Sequence, residues 1–303
     1  MKFEVTILGS SSATPVFNRN PTAQLLNCNE KFYLIDCGEG TQQQLIKFGL
    51  KASKIDAAFI SHLHGDHYFG LIGLLSTMHL NGRIKPFLIF APAPLREILE
   101  MQFKYSDTQL RYEIEYHVTE ADVPGVIFEN GDMVVETIVL NHRIPTTGFK
   151  FTERKRLRKV IAEKLEADNV APEYYALLKR GLDLTLPGGR VILNRDYTVD
   201  SEMPKSYCYC SDTLADGSYL GSLRDCTLLY HEATFLDELI ERATMTHHST
   251  ALQAAEVAKG VGASKLLIGH FSSRYKTLLP LLEEALVVFP NTELAMEGCT
   301  FVI

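Results

Sequence analysis

The chain has 303 residues, of which 46% are hydrophobic, and its formal net charge is −7 at pH 7. This size allows a substantial buried core, in one large domain or two smaller ones. An acidic chain is a poor indiscriminate binder of nucleic acid, although the distribution of charge matters more than its sum. The sequence contains no apolar run long enough to span a bilayer, no signal-peptide pattern at its start and no Cys-x-x-Cys pair among its six cysteines. We therefore expect a globular cytoplasmic protein with buried thiols and no membrane attachment.

Apolar, β-branched runs alternate with amphipathic helical stretches in both halves of the chain, which is the pattern of sheets covered by helices. Strands are predicted at 3–9, 23–28, 31–36, 55–61, 88–91, 111–118, 126–129, 133–141, 206–211, 227–231, 265–269 and 299–303. Helices are predicted at 40–48, 67–80, 95–105, 249–260 and 275–288. The fold class is therefore α/β.

The alternation fails between residues 151 and 204, where a charged helix near 153–167 is followed by a Tyr-rich stretch and a Pro-Gly-Gly turn. From Lys150 to Lys205 there are 12 Lys and Arg against 9 Asp and Glu, a net charge of +3 that leaves −10 for the rest of the chain. The densest basic run contains Arg154, Lys155, Arg156, Arg158 and Lys159. We expect an insertion in the main domain, whose basic run is either a phosphate-binding surface or an ordinary solvated helix face.

Residues 62–67 read His-Leu-His-Gly-Asp-His, which is the most informative run in the sequence. Three imidazoles and a carboxylate repel one another or lose solvation unless a cation holds them together, and such donors suit zinc, with manganese and iron(II) as alternatives. Side chains of an extended segment alternate in direction, so His62 and His64 point the same way, while Asp66 and His67 follow the turn at Gly65. The spacing predicts two metal ions, one for each pair. A surface histidine cluster is the alternative.

Three more candidate ligands follow predicted strands. His142 comes after the strand at 133–141, Asp212 after 206–211 and His270 after 265–269, as His62 comes after 55–61. The carboxyl ends of strands in layered α/β proteins bring short loops to one common edge, where sites usually lie. A single histidine at a strand end is most often structural, but four such placements favour one shared site.

Together these motifs resemble the ribonuclease Z family of the metallo-β-lactamase superfamily, over nearly the whole chain. Residues 62–67 match the superfamily signature HxHxDH, and Asp36 matches its acidic motif, in which the acid orients neighbouring groups; a strand-end turn residue is the alternative for Asp36. Residues 231–235 resemble the HEATF segment of ribonuclease Z, and residues 248–250 resemble its HST motif. Alone, His248 would be read as part of an ordinary helix start. His247 has no role in this alignment.

The resemblance implies a metallo-β-lactamase αββα sandwich, with two mixed sheets packed face to face and helices outside. It implies one catalytic domain formed by 1–150 and 205–303, and a tRNA-binding arm at 151–204, although this arm lacks the Gly-Pro steps of the commonest bacterial arm. It also implies two Zn²⁺ per subunit, one held by His62, His64 and His142, the other by Asp66, His67 and His270, with Asp212 between them.

The activity implied is removal of the 3′ trailer from precursor tRNA, which leaves a 3′-hydroxyl on the tRNA and a 5′-phosphate on the trailer. Asp66 would orient the attacking water, and His248, held by Glu232, would protonate the leaving oxygen. Ser272 and Arg274 follow His270 closely enough in the sequence to contact phosphate, with a surface ion pair as the alternative for Arg274. The resemblance also implies a homodimer, in which the basic arm of one subunit holds the tRNA that the other subunit cuts. The alternatives are a phosphodiesterase for small diesters with the same two metals, and an inactive RNA-binding member of the superfamily.

Overall fold

Two seven-stranded sheets organise the larger part of the protein, whose computed structural model describes residues 2–303. The strands are β1 (Phe3–Gly9), β2 (Ala23–Cys28), β3 (Lys31–Cys37), β4 (Ile55–Phe59), β5 (Phe87–Ala91), β6 (Ile114–Val118), β7 (Val126–Glu129), β8 (Met133–Leu140), β9 (Thr146–Glu153), β10 (Lys159–Val160), β11 (Leu184–Thr185), β12 (Val191–Ile192), β13 (Thr198–Val199), β14 (Ser206–Cys210), β15 (Leu228–Glu232), β16 (Lys265–Gly269), β17 (Thr292–Leu294) and β18 (Thr300–Val302). The first sheet has the order β18-β1-β2-β3-β4-β5-β6, and the second has the order β17-β16-β15-β14-β9-β8-β7.

The α-helices are α1 (Thr41–Lys47), α2 (Gly65–Tyr68), α3 (Leu71–Leu80), α4 (Pro94–Tyr105), α5 (Ala162–Ala167), α6 (Tyr175–Lys179), α7 (Asn194–Tyr197), α8 (Leu220–Leu223), α9 (Ile240–Thr246), α10 (Ala251–Val261) and α11 (Leu279–Val288). Short 3₁₀ turns lie at Ala52–Lys54, Pro172–Tyr174 and Asp237–Leu239. Among residues 2–303, no helix is long and apolar enough to cross a membrane.

The two sheets pack face to face through a core of aromatic side chains. The ring of Phe59 on β4 stacks on that of Phe90 on β5, with centroids 4.6 Å apart, and meets the ring of Phe151 on β9 edge-on at 5.2 Å. Separate clusters on the outer faces join the first sheet to α1, α3 and α4 and the second sheet to α10 and α11. Burial of each large apolar side chain stabilises such a layer by about 1.5–3 kcal/mol. The predicted αββα sandwich is confirmed.

By its packing the chain divides into two compact units: one runs up to Thr152 and resumes as Ser206–Ile303, and the other is Glu153–Lys205. The second unit, called the arm below, contains the two-stranded pairs β10–β13 and β11–β12. Its own small core is formed by Leu165, Val170, Leu178, Leu184 and Ile192.

Several predicted elements were wrong in extent. The helix expected near 153–167 is reduced to α5, because five cations in six residues repel one another along a helix, and Arg158 instead pairs with Asp200 and Thr198. The helix expected at 275–288 begins only at Leu279, with Pro280 in its first turn, where proline is tolerated. The prediction also missed β9 and α9 and started β6 three residues early.

Five cysteines are buried, but Cys299 is exposed, so the prediction of buried thiols was wrong there.

The helix predicted at 67–80 is broken into α2 and α3 by Phe69 and Gly70. The amide of Gly70 donates to the carbonyl of Cys37 at 2.9 Å. A Cβ on Gly70 would lie 2.2 Å from the carbonyl oxygen of Gly38, closer than any real contact. Glycine at this position therefore lets the start of α3 approach the end of β3, and this approach fixes α2, the helix that carries Asp66 and His67.

Candidate metal centre and catalytic site

Both sheets deliver polar side chains to one site from the carboxyl ends of their strands. In the first sheet β4 ends at Phe59, just before His62. In the second, β8, β14 and β16 end one or two residues before His142, Asp212 and His270. The structure therefore brings together four ligand candidates that are as many as 208 positions apart in sequence.

One group of donors contains His62, His64, His142 and Asp212, whose nearest ligand atoms all lie within 4.8 Å of one another. Nδ1 of His64 is 3.0 Å from Nε2 of His62 and 3.2 Å from Nε2 of His142. Oδ2 of Asp212 lies 3.6 Å from Nε2 of His62 and 3.7 Å from that of His142.

The second group contains Asp66, His67 and His270, which meet the same distance limit of 4.8 Å. Oδ2 of Asp66 lies 3.6 Å from Nε2 of His67 and 3.5 Å from Nε2 of His270. The other oxygen of Asp212, Oδ1, lies 3.4 Å and 3.1 Å from the same two nitrogens. Asp212 thus presents one carboxylate oxygen to each group of donors.

The ring nitrogens that point away from the centre are held by neighbouring groups. Nδ1 of His67 lies 2.7 Å from Asp36, Nδ1 of His62 lies 3.0 Å from the hydroxyl of Ser61, and Nδ1 of His270 lies 3.0 Å from that of Thr234. Asp36 also accepts from the amide of Ser61 at 2.7 Å. Partners of this kind fix the orientation of metal-binding imidazoles.

His247, which had no predicted role, orients His142 through its backbone. Nδ1 of His142 lies 2.8 Å from the carbonyl oxygen of His247. His247 ends α9 in the left-handed conformation, with φ 56° and ψ 52°. A contact made by a backbone carbonyl leaves no signature in the side chain, so only the structure reveals it.

The donors fit a cation. Carboxylate oxygens of Asp66 and Asp212 lie 3.1–3.6 Å from the buried Nε2 atoms of His67 and His270, but neither nitrogen makes a hydrogen bond of acceptable geometry among residues 2–303. Such an arrangement is costly for a buried polar atom unless something else engages it. Burial lowers the pKa of His62 well below its ordinary range and that of His142 to about 4. Both imidazoles are therefore neutral at pH 7, the form that binds metal.

His67 shows the opposite electrostatic balance. Burial lowers its pKa, but the carboxylates of Asp212, Asp66 and Asp36 together raise it well above its ordinary range. A proton on His67 and a bound cation are therefore alternative ways to neutralise these carboxylates.

Glu232 and His248 form a charged pair beside the donors. Nδ1 of His248 lies 2.8 Å from Oε1 of the fully buried Glu232. The amide and hydroxyl of Thr234 donate to the other oxygen of Glu232, at 3.0 Å and 2.7 Å. Burial lowers the pKa of His248, but Glu232 outweighs it and raises that pKa to about 9. This pair can hold a proton at the site and donate it.

His248 is not part of a helix cap. The helix that follows begins with Thr250 as its N-cap residue, and Thr250 and Gln253 form a reciprocal capping box. The ring of His248 instead stacks beside that of His270, with centroids 5.4 Å apart.

A cleft of about 420 Å³ opens onto the donors. Its walls include Ser12, Ala13, Thr14, Pro15, Glu39, His64, Asp66, Phe69, Arg143, Asp212, His248 and His270. The amide of Ala13 donates to Oδ2 of Asp66 at 2.7 Å, which holds that carboxylate in place.

Arg143 is exposed and also lines a second cavity of about 530 Å³ next to His142. Sequence reasoning missed Ala13 and Arg143; the only signal for Arg143 was its position beside His142.

Ser272 and Arg274, predicted to contact substrate, do not line this cleft. Ser272 is buried, and its hydroxyl accepts from the amide of Arg274 at 3.4 Å. In the arm, Arg156 lies 3.5 Å from Glu153, and Arg158 is paired with Asp200, whereas Lys155 and Lys159 are exposed.

The sandwich and its His/Asp cluster define a metallo-β-lactamase-fold protein. The metallo-β-lactamase fold protein YhfI from Bacillus subtilis has the same fold, with a TM-score of 0.71 at 19% identity over all of both chains. A family model described as anti-Pycsar protein Apyc1 matches residues 3–157.

Closer relatives identify the family. The chain is 43% identical to ribonuclease Z of Bacteroides fragilis over 98% of both sequences, and 46% identical to that of Cytophaga hutchinsonii over 100% of this chain and 97% of the relative. The crystal structure of the short form of human tRNase Z matches with a TM-score of 0.70 and 28% identity over 98% of both chains. The chain therefore belongs to the ribonuclease Z family, and both family and fold imply bound metal ions.

Proposed function

We propose that the protein is a zinc-dependent endoribonuclease that removes the 3′ trailer from precursor tRNA. The products are a tRNA with a 3′-hydroxyl and a trailer with a 5′-phosphate. The observation that carries the proposal is the Glu232–His248 pair, 2.8 Å apart, beside two groups of metal donors that share Asp212. Family membership supplies the substrate class.

Two zinc ions per subunit fit the donor sets. His62, His64 and His142 would hold one ion, Asp66, His67 and His270 the other, and Asp212 would bind both. Imidazole and carboxylate donors in sets of four suit zinc. Bound there, the ions would lower the pKa of a water molecule and stabilise negative charge on the phosphate oxygens.

Two side chains of the protein would transfer protons, one from the attacking water and one to the leaving oxygen. Asp66, held by the amide of Ala13, orients the attacking water and accepts its proton. His248, kept charged by Glu232, donates a proton to the leaving oxygen, and such assistance typically accelerates a reaction by about 10²–10⁴. Since the phosphorus stays with the trailer, the leaving atom is the ribose 3′ oxygen of the tRNA, in agreement with the products.

The proposal also covers the role of the arm, the oligomeric state of the enzyme and its location in the cell. The exposed Lys155 and Lys159 give the arm cations for phosphate contacts, which position RNA without reading its sequence. We place the enzyme in the cytoplasm as a homodimer, in which the arm of one subunit holds the tRNA that the other cuts.

Cleavage of a precursor tRNA by purified protein, with and without a chelator, tests the proposal. We expect one cut after the discriminator nucleotide, loss of cleavage with the chelator and recovery on addition of Zn²⁺. Cleavage that persists in metal-free protein would overturn the metal assignment. A 3′-phosphate on the tRNA would show that the ribose 3′ oxygen of the tRNA is not the leaving atom. Hydrolysis of small diesters without cleavage of precursor tRNA would favour the alternative phosphodiesterase.

A further inference from the structure

Phe69 is an exposed aromatic side chain at the metal centre. It lies in the break between α2 and α3, two residues after His67, and 60% of its surface is exposed. Single exposed apolar residues are common and need no explanation. Among residues 2–303, Phe69 differs from the other large exposed apolar residues, such as Ile46, because it lines the 420 Å³ cleft with Asp66, Asp212 and His248.

The ring of Phe69 is held in a fixed place. A Cβ added to Gly65 would lie 2.1 Å from Cε2 of Phe69, so the ring rests directly on the glycine backbone. The ring of Tyr68 supports it, with centroids 5.1 Å apart. The amide of Phe69 donates to the carbonyl of Gly65 at 2.9 Å, and the next residue is anchored to Cys37. Phe69 therefore presents a positioned ring to the cleft.

We propose that Phe69 is a base-stacking residue, which holds the base of a nucleotide next to the scissile phosphate. This inference rests on the proposed function, because it requires an RNA strand in the cleft. A base has an apolar face that an aromatic ring can cover whatever the sequence, and single-stranded segments are commonly held in this way. Stacking on Phe69 would hold the RNA strand beside the metal donors without selecting for a particular base.

Precursor tRNAs with one base removed test this role directly. One substrate lacks the base of the discriminator, another lacks that of the first trailer nucleotide, and the natural precursor is the reference. We expect wild-type protein to lose about tenfold to a hundredfold in kcat/KM on one of the two abasic substrates, the range for the loss of one stacked base. Phe69→Ala should lose a similar factor on the natural precursor and no further factor on that abasic substrate.

Companion variants separate stacking from structure. Phe69→Tyr should cleave like wild type, whereas Phe69→Leu, which retains bulk without aromaticity, should resemble Phe69→Ala. Ile46→Ala removes a comparably exposed apolar side chain, 72% exposed on α1 and outside the cleft, and should change nothing. Zinc content and thermal unfolding are measured on every variant.

The outcomes are distinguishable. If Phe69→Ala lowers cleavage of natural and abasic precursors by the same factor, or if Phe69→Leu cleaves like wild type, stacking is overturned while the proposed function stands. If wild-type zinc-loaded protein cleaves no precursor tRNA, the proposed function fails, and this inference fails with it.

Discussion

Asp212 and His248 line the same cleft, but their contacts support different proposed roles: metal ligand for Asp212 and proton donor for His248. Asp212 faces both groups of donors with its two oxygens, so Asp212→Ala should lower the zinc content and abolish cleavage of precursor tRNA. His248 touches Glu232, so His248→Ala should keep the zinc and lose about 10²–10⁴ in rate. Metal analysis and single-turnover cleavage of the two variants check both expectations.

The control for these variants is His117→Ala, which removes an exposed histidine on β6 outside the cleft and should preserve both zinc and rate. Cleavage by His248→Ala at the wild-type rate would contradict its role as the acid. Full zinc content in Asp212→Ala would contradict a ligand shared by both ions.

His247 offers a test of a residue that acts through its backbone. Its left-handed conformation suits glycine, whereas a β-branched side chain is strained there, at a cost of roughly 1–2 kcal/mol. His247→Val should therefore displace the carbonyl that holds His142 and weaken zinc binding by about 10–100-fold, as loss of such an outer partner typically does. His247→Gly should bind zinc nearly like wild type in the same competition titration. Equal affinities for the valine and glycine variants would show that this carbonyl does not matter.

At the residue scale, the sequence predicts side chains better than backbone contacts. The hexapeptide at 62–67 and the strand-end positions of His142, Asp212 and His270 correspond to the donors that the structure groups together. The carbonyl of His247 and the amide of Ala13 could not be predicted, because every residue type except proline supplies the same backbone groups.

Elements were predictable where local periodicity decides them. Strands such as β1, β2 and β16 have the predicted bounds, since each is a buried apolar run between turn residues. The break between α2 and α3 depends instead on the approach of Gly70 to Gly38, a tertiary contact that periodicity cannot report.

Two glycines in this region provide a matched test. Gly70→Ala would place a Cβ 2.2 Å from a backbone oxygen, so we expect a loss of about 1–3 kcal/mol or more in unfolding free energy and a displaced α2. Gly73→Ala, inside α3 with nothing closer than 3.9 Å, should gain up to about 1 kcal/mol from helix propensity. Urea unfolding monitored by circular dichroism measures both. Equal stabilities would mean that α3 can move away from β3 without cost.

At the scale of the whole molecule, composition and alternation predicted sheets covered by helices but not how they pair. The second sheet joins β14 to β9 and β15, and the arm interrupts the chain between β9 and β14. Pairings of such long range do not follow from local pattern, and only the family resemblance supplied the sandwich.

The charge of the chain is unevenly distributed, because a basic arm belongs to an otherwise acidic protein. Replacing the exposed Lys155 and Lys159 by alanine should raise KM for precursor tRNA with little change in kcat, since phosphate contacts position a nucleic acid and these lysines have no assigned part in the chemical step. The dependence of log KM on log salt should weaken by roughly 0.7–0.9 for each phosphate that the arm no longer neutralises. Hydrolysis of a small chromogenic diester by the same variant should be unchanged.

The matched control variant, Lys51→Ala with Lys104→Ala, removes the same charge outside the arm and should leave the activity on both substrates unchanged. If the arm variant cleaved precursor tRNA with unchanged KM and salt dependence, or lost equal activity on both substrates, the arm would not be a tRNA-binding surface.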